Sequence, residues 1–234
     1  MVRNKASLAQ TRKPHKDPFL FIVNRDDPWK QRLENDPRFA SIESPHFMFG
    51  PVIMKEEDGT MGPKWVSFVT ELGEKINSIE SVHPSKWKVI VSAPHGGADG
   101  KIVFDMNGGK DPLAPDWGLA KQMFPAFYEV GVRRLHFQTC LIGRHLLELK
   151  YCKKTREMTD SELMNVTAWN CSITAYDDDA IGQVLVDSDD YVFRGLPGRS
   201  AMQEGKRRSF NAIIQVYVGP EGQLLRRVKC SKYD

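Results

Sequence analysis

Two short stretches of this chain hold the residue types that thiol chemistry needs. Ser92-Ala-Pro-His95-Gly96-Gly97 follows one apolar, β-branched run, and His136-Phe-Gln138-Thr-Cys140 closes another. A thiolate attacks a carbonyl carbon, an imidazole moves the protons, and backbone N–H groups hold the oxyanion that forms. Cys140 can supply the thiolate and His95 the imidazole. Gly96 has no side chain, so its N–H can approach a substrate carbonyl closely. The N–H of Cys140, at a strand-to-helix turn, is the second candidate donor. A helix beginning near Leu141 would set its positive end beside the sulfur and lower the thiol pKa.

The flanking elements decide whether these groups meet. In an open α/β sheet, ligands bind beyond the carboxyl ends of the strands. The runs ending at Val91 and Phe137 read as buried strands. If they are parallel neighbours, His95 and Cys140 emerge at one edge. Their separation of 45 positions is enough for a hairpin and a crossover helix. Phe47–Met54 reads as a strand broken at Gly50-Pro51. Trp65, Phe68, Val69, Leu72 and Ile76 recur at helical spacing, which predicts a helix over about 63–79. Lys101–Phe104 reads as a short strand. A helix is expected from Pro115 to Val130, with Trp117, Ala120, Phe124 and Phe127 buried, a kink at Pro125 and Gly131 closing it. Residues 142–156 read as a further helix, and 165–176 and 210–218 as strands. This alternation predicts an α/β fold with a mainly parallel central sheet flanked by helices. The domain is expected over 46–234. Residues 1–45 are expected to be a basic, partly flexible, irregular N-terminal extension, of which 18–45 wraps the domain without a core of its own.

Strand-His-Gly, followed about fifty residues later by strand-Gln-x-Cys, resembles the caspase–hemoglobinase group of cysteine peptidases. That group includes the self-processing protease domains of bacterial toxins. The resemblance implies that Cys140 is the nucleophile and His95 the catalytic histidine, that Gly96 and Cys140 form the oxyanion hole, and that neither a third residue nor a cofactor nor a metal is required. It also implies a proteolytic effector acting on a protein or peptide substrate or on itself. By the same resemblance, Gln138 lines the pocket for the side chain that precedes the cut. Asp177 and Asp179, in a run of three aspartates after a strand, would ring that cleft and favour a basic side chain. Gln138 argues against an arginine pocket, and Arg194 and Arg199 could reach an acidic one, so specificity stays open. The chain departs from the group's Gln-Ala-Cys-x-Gly pattern: it has Gln-Thr-Cys-Leu-Ile-Gly143, with the glycine one place late, and Gly97 lengthens the turn after His95.

Composition bounds the remaining choices. With 234 residues, 41% hydrophobic and 27% charged, the chain is not disordered, collagenous or a coiled coil. A net charge of +3 is too slight to point to nucleic acid. No apolar run reaches the ~18 residues of a membrane span, so no membrane segment is expected. Phe19–Val23 is too short for a signal-peptide core. A cytoplasmic protein is expected, with delivery into a host cell without a signal peptide left open. Four cysteines with no C-x-x-C pair exclude the common zinc and redox motifs, and Cys152, Cys171 and Cys230 are expected to be structural. Two other functions compete. A zinc amidohydrolase would use His95 and Asp99 with His136 or His145, although no zinc-peptidase histidine spacing is present. A non-catalytic binding module would use the basic clusters 206–208 and 226–227. His136 is expected to be hydrogen-bonded between sheet and helix, and His145 to be partly exposed.

Overall fold

Apolar runs too short for helices become the middle of a sheet. The computed structural model describes residues 18–23, 46–49, 63–93, 95–103, 116–152, 158–170 and 213–228. Asp177, Asp179, Arg194, Arg199, Cys171, Cys230, the 206–208 cluster and the tail before residue 18 lie outside the described residues. The main sheet contains β1 (Phe19–Val23), β2 (His46–Phe49), β3 (Lys88–Ser92), β7 (Arg134–Gln138), β8 (Met164–Trp169), β9 (Ile213–Val218) and β10 (Leu224–Arg227). Its order is β10-β9-β8-β7-β3-β1-β2. A second, three-stranded sheet is built from β4 (His95–Gly96), β5 (Lys101–Val103) and β6 (Asp116–Leu119). The helices are α1 (Pro63–Ile76), α2 (Ala120–Glu129) and α3 (Ile142–Glu148). No helix among the described residues is long and apolar enough to cross a membrane.

The α/β class is as expected, but the sheet is mixed rather than mainly parallel. The β2–β1–β3–β7–β8 ladders are parallel, whereas β8–β9 and β9–β10 are antiparallel. A tight turn at Gly219–Gly222, with Gly222 at φ 72°, sends β10 straight back along β9. Three other expectations are corrected. Phe19–Val23 does not wrap the domain: it is a strand between β3 and β2, and all five residues are buried. At ~1.5–3 kcal/mol for each large apolar side chain removed from water, this segment is part of the core. Residues 116–119 are strand rather than helix, because they pair with β5. The helix after Cys140 ends at Glu148.

Pairing register sorts the side chains onto two faces. Leu20, Val89, Leu135, Val166 and Val216 form one row, flanked by Ile22, Val91, Phe137, Ala168 and Ile214. This face packs against Phe68, Leu72 and Ile76 of α1, Met123, Phe124 and Phe127 of α2, and Ile142 and Leu146 of α3. In α1 the buried residues recur every four positions, one apolar stripe of a helix. Gly131, at φ 93°, closes α2: its N–H bonds to Tyr128 and that of Val132 to Phe127, which satisfies two of the helix's last carbonyls. The opposite face is also buried but carries polar groups in its middle row, Phe21–Ile90–His136–Thr167–Gln215.

Candidate active site

β3 and β7 are parallel neighbours, and Ser92 opposite Gln138 is their last registered pair. His95 stands three residues past that pair and Cys140 two, so both leave the sheet at the same carboxyl edge. The two segments touch there. A Cβ built on Gly96 would lie 2.4 Å from the carbonyl oxygen of Cys140 and 2.6 Å from Thr139 Oγ1. Only glycine fits at 96, because the obstacle is backbone.

The hairpin that carries His95 also fixes where the Gly96 N–H points. Gly97 N–H donates to Lys101 O at 2.9 Å, and His95 and Gly96 pair with Val103 and Ile102. Antiparallel pairs alternate between bonded and non-bonded, so Gly96/Ile102 is a non-bonded pair. The Gly96 N–H is thus directed away from β5, along the open edge of the small sheet. His95 is exposed, and Cys140 is half-buried and is not disulfide-bonded. Directly after it, Leu141 adopts φ 62°, ψ −5°, the one non-glycine residue with positive φ among those described. A left-handed leucine costs ~1–2 kcal/mol. That strain sits at the corner where the chain swings from strand to helix, and it sets the angle at which Cys140 leaves β7.

Behind Cys140 lies a fully buried polar network. Trp169 Nε1 donates to Gln138 Oε1 at 2.9 Å. Indole N–H is donor only, so the side-chain oxygen of Gln138 must face it. His136 Nε2 lies 3.0 Å from the same oxygen and therefore carries the ring proton. His136 Nδ1 is then an acceptor, and Thr167 Oγ1 at 2.8 Å donates to it in preference to Leu135 O at 3.4 Å. Burial, partly opposed by the Gln138 hydrogen bond and aided by Lys88, lowers the His136 pKa to about 4, so the ring is neutral. Gln138 is 1% exposed, and its oxygen is committed to two donors. Its amide nitrogen is the only part left for a substrate, which narrows the pocket role expected of this residue.

His145 is 6% exposed rather than partly exposed, because its ring covers Gly100 in the β4–β5 turn. Burial, assisted by Lys121, holds its pKa below the ordinary value, against Glu148 and Asp99, which raise it. Four polar atoms around this edge are buried without a hydrogen-bond partner: Gln138 Nε2, Thr139 Oγ1, His145 Nε2 and Asn170 Oδ1. Such atoms are rare in a settled core. Both ring nitrogens of His136 are engaged, so it is not a free metal ligand. No three of His, Cys, Asp and Glu converge among the described residues. The zinc set of His95, Asp99 and His136 or His145 is not assembled there.

Sequence reasoning missed Thr167, Trp169, Gly100 and Asn170. The first two lie two apart on β8, on the face that His136 and Gln138 share, and only the β7–β8 register brings the four together. Comparison with protein-family models, curated proteins and solved structures gave no match.

Proposed function

We propose that this chain is a cysteine peptidase of caspase–hemoglobinase type, with Cys140 as nucleophile and His95 as the residue that manages protons. One observation carries this reading. Adjacent parallel strands deliver a His-Gly and a Gln-x-Cys to the same edge, and Gly96 lies against the Cys140 backbone. The Gly96 N–H, unused in its own ladder, supports the oxyanion role. In the first step the Cys140 thiolate adds to the scissile carbonyl carbon, and the N–H groups of Gly96 and Cys140 take up the developing oxyanion. The intermediate collapses, the C–N bond breaks, and His95 gives its proton to the departing amine. His95 then takes a proton from water, whose oxygen attacks the thioester and releases the acid, which returns the Cys140 thiolate and the protonated His95 from which the cycle began. Every atom in this cycle comes from substrate, water or the two side chains.

Peptide cleavage or self-processing is the test. Cys140→Ala should abolish it, and His95→Ala should lower it about 10²- to 10⁴-fold. Iodoacetamide should label Cys140 faster than Cys152, which is also half-buried and whose N–H is bonded to Leu224 of β10. Full activity in Cys140→Ala would falsify the reading.

A further inference from the structure

We infer that His145 is a positioning residue for the Cys140/His95 pair, its ring holding the β4–β5 turn at Gly100 against α3. This inference rests on the peptidase reading above. His95 sits on a strand only two residues long. A two-stranded hairpin of that size does not order itself in water, so contacts outside it must place it. β6 supports it on one side by pairing with β5, and among the described residues two glycine contacts tie it to the edge of the main sheet. At one end Gly96 lies on the Cys140 carbonyl and the Thr139 side chain. At the other, a Cβ on Gly100 would stand 2.6–2.7 Å from Cγ, Cδ2 and Nδ1 of His145, so the ring lies flat on the turn. Gly100 also has φ 91°, which only glycine adopts without strain.

The turn is stiff within itself. Gly100 N–H donates to Gly97 O at 3.0 Å, and Lys101 N–H donates to Asp99 Oδ1 at 3.1 Å. A stiff turn held at Gly100 carries β4 with it. α3 is the right anchor because it begins two residues after Cys140 and cannot shift on the sheet. A Cβ on Gly143 would meet Trp169 C and Asn170 N at 2.8 Å, so the helix is seated on the end of β8. The nucleophile and the His145 ring therefore belong to one body, and the ring is how that body grips the hairpin bearing His95. Packing is what the ring contributes here, since Nε2 is buried without a partner. The charged groups around it are Asp99 on the turn, Lys121 on α2 and Glu148 on α3.

The test uses the full chain and iodoacetamide, with Cys152 as the internal reference. The rate at Cys140 is followed against pH in the wild type, His145→Ala and His145→Phe. His145→Ala should slow Cys140 about 10- to 100-fold near neutral pH, the loss that a misplacement of about 1 Å brings. Its inflection should move to higher pH, toward the ordinary thiol value of ~8.5, as a displaced β4 carries the proposed imidazole partner away from the sulfur. Cys152 should not change. His145→Phe keeps a flat ring and should restore the Cys140 rate to within about threefold. Gly100→Ala attacks the same contact from the other side and should slow Cys140 as His145→Ala does. The Gly100→Ala/His145→Ala pair should be slowed less than the two single effects multiplied. The inference is overturned if His145→Ala leaves rate and inflection unchanged. It is also overturned if folded His145→Phe is as slow as His145→Ala, for then a nitrogen and not the ring's shape is at work. If Cys140 in the wild type labels no faster than Cys152, the peptidase reading itself fails. A fast wild-type Cys140 that ignores position 145 overturns only this inference.

Discussion

The two buried histidines of this site live under opposite rules. His136, in the middle of β7, has both ring nitrogens paired, and its partners Thr167 and Gln138 are themselves held by β8. His145, on α3, is nearly as buried but leaves Nε2 without a partner, and its closest neighbour is a glycine. One lies inside a sheet with both of its ring nitrogens matched, although Gln138 Nε2 and Gln215 Oε1 on the same face are not. The other lies in the seam between the main sheet and the small hairpin, where shape alone holds the parts and several polar atoms are unmatched. The difference separates a platform from a site. The β7–β8 network fixes the strand that presents Cys140, and the seam is where the hairpin bearing His95 meets that strand's end.

The seam should be the more fragile of the two for function. Gly96→Ala puts a methyl group 2.4 Å from the Cys140 carbonyl, closer than real Cβ contacts come, so hairpin or nucleophile must move. Cleavage and Cys140 labelling should both fall about 100-fold or more. Overpacking at this one point should cost only ~1–3 kcal/mol of stability, visible as a modest fall in the urea midpoint. If Gly96→Ala cleaves at the wild-type rate, the seam is not the site.

The platform should answer in stability instead. His136→Ala removes a buried ring and takes one donor from Gln138 and the acceptor from Thr167, which should cost about 2–4 kcal/mol. His136→Phe fills the space and should cost less. The ring also makes stability depend on pH. Its pKa is about 4 in the folded chain against the ordinary 6.5 unfolded, so between these values the unfolded chain binds more protons. Stability from this group is therefore complete above about pH 6.5 and is lost as pH falls through about 4. Integrated over the shift, it amounts to about 3 kcal/mol. Urea midpoints at pH 7, 5 and 4 should show that slope in the wild type and lose that share of it in His136→Phe. An unchanged slope in His136→Phe would mean that the ring titrates normally and the network is not closed.

The strand ends that carry His95 and Cys140 were more legible in the sequence than the sheet around them. The strands before His95 and Cys140 announce themselves as β-branched runs, and the condition that they be parallel neighbours is met by the β3–β7 register. β1 was misjudged because Phe-Leu-Phe-Ile-Val, buried on both faces, shows no alternation and sits in a segment without other periodicity. Asp116–Leu119 was taken into a helix because Trp117 and Ala120 have helical spacing, yet pairing with β5 decides its state. His145 was judged partly exposed because nothing local says that a glycine turn 45 residues earlier will lie on it. Errors of this kind share a cause: a contact far along the chain overrides a short local pattern.

Arg226 and Arg227 make the last case, and the smallest effect. In the sequence they form the basic cluster that a binding module would use, but both belong to β10 and both are engaged. Arg226 lies over the Tyr217 ring and pairs with Asp160, and Arg227 Nη2 donates to the carbonyls of Leu146, Leu147 and Leu149. Those are the carbonyls that α3 leaves unpaired at its end, where a cation is also favoured by the helix dipole. Arg227→Ala should therefore loosen the last turn of α3 and cost about 1–2 kcal/mol. Cys140, at the other end of the helix, should be labelled within about threefold of the wild-type rate, because Gly143 already seats α3 on β8 through a contact that Arg227 does not touch. A loss as deep as that of Gly96→Ala would break the comparison. It would mean that the seam takes its order from the whole length of α3, rather than from the two glycine contacts beside the thiol.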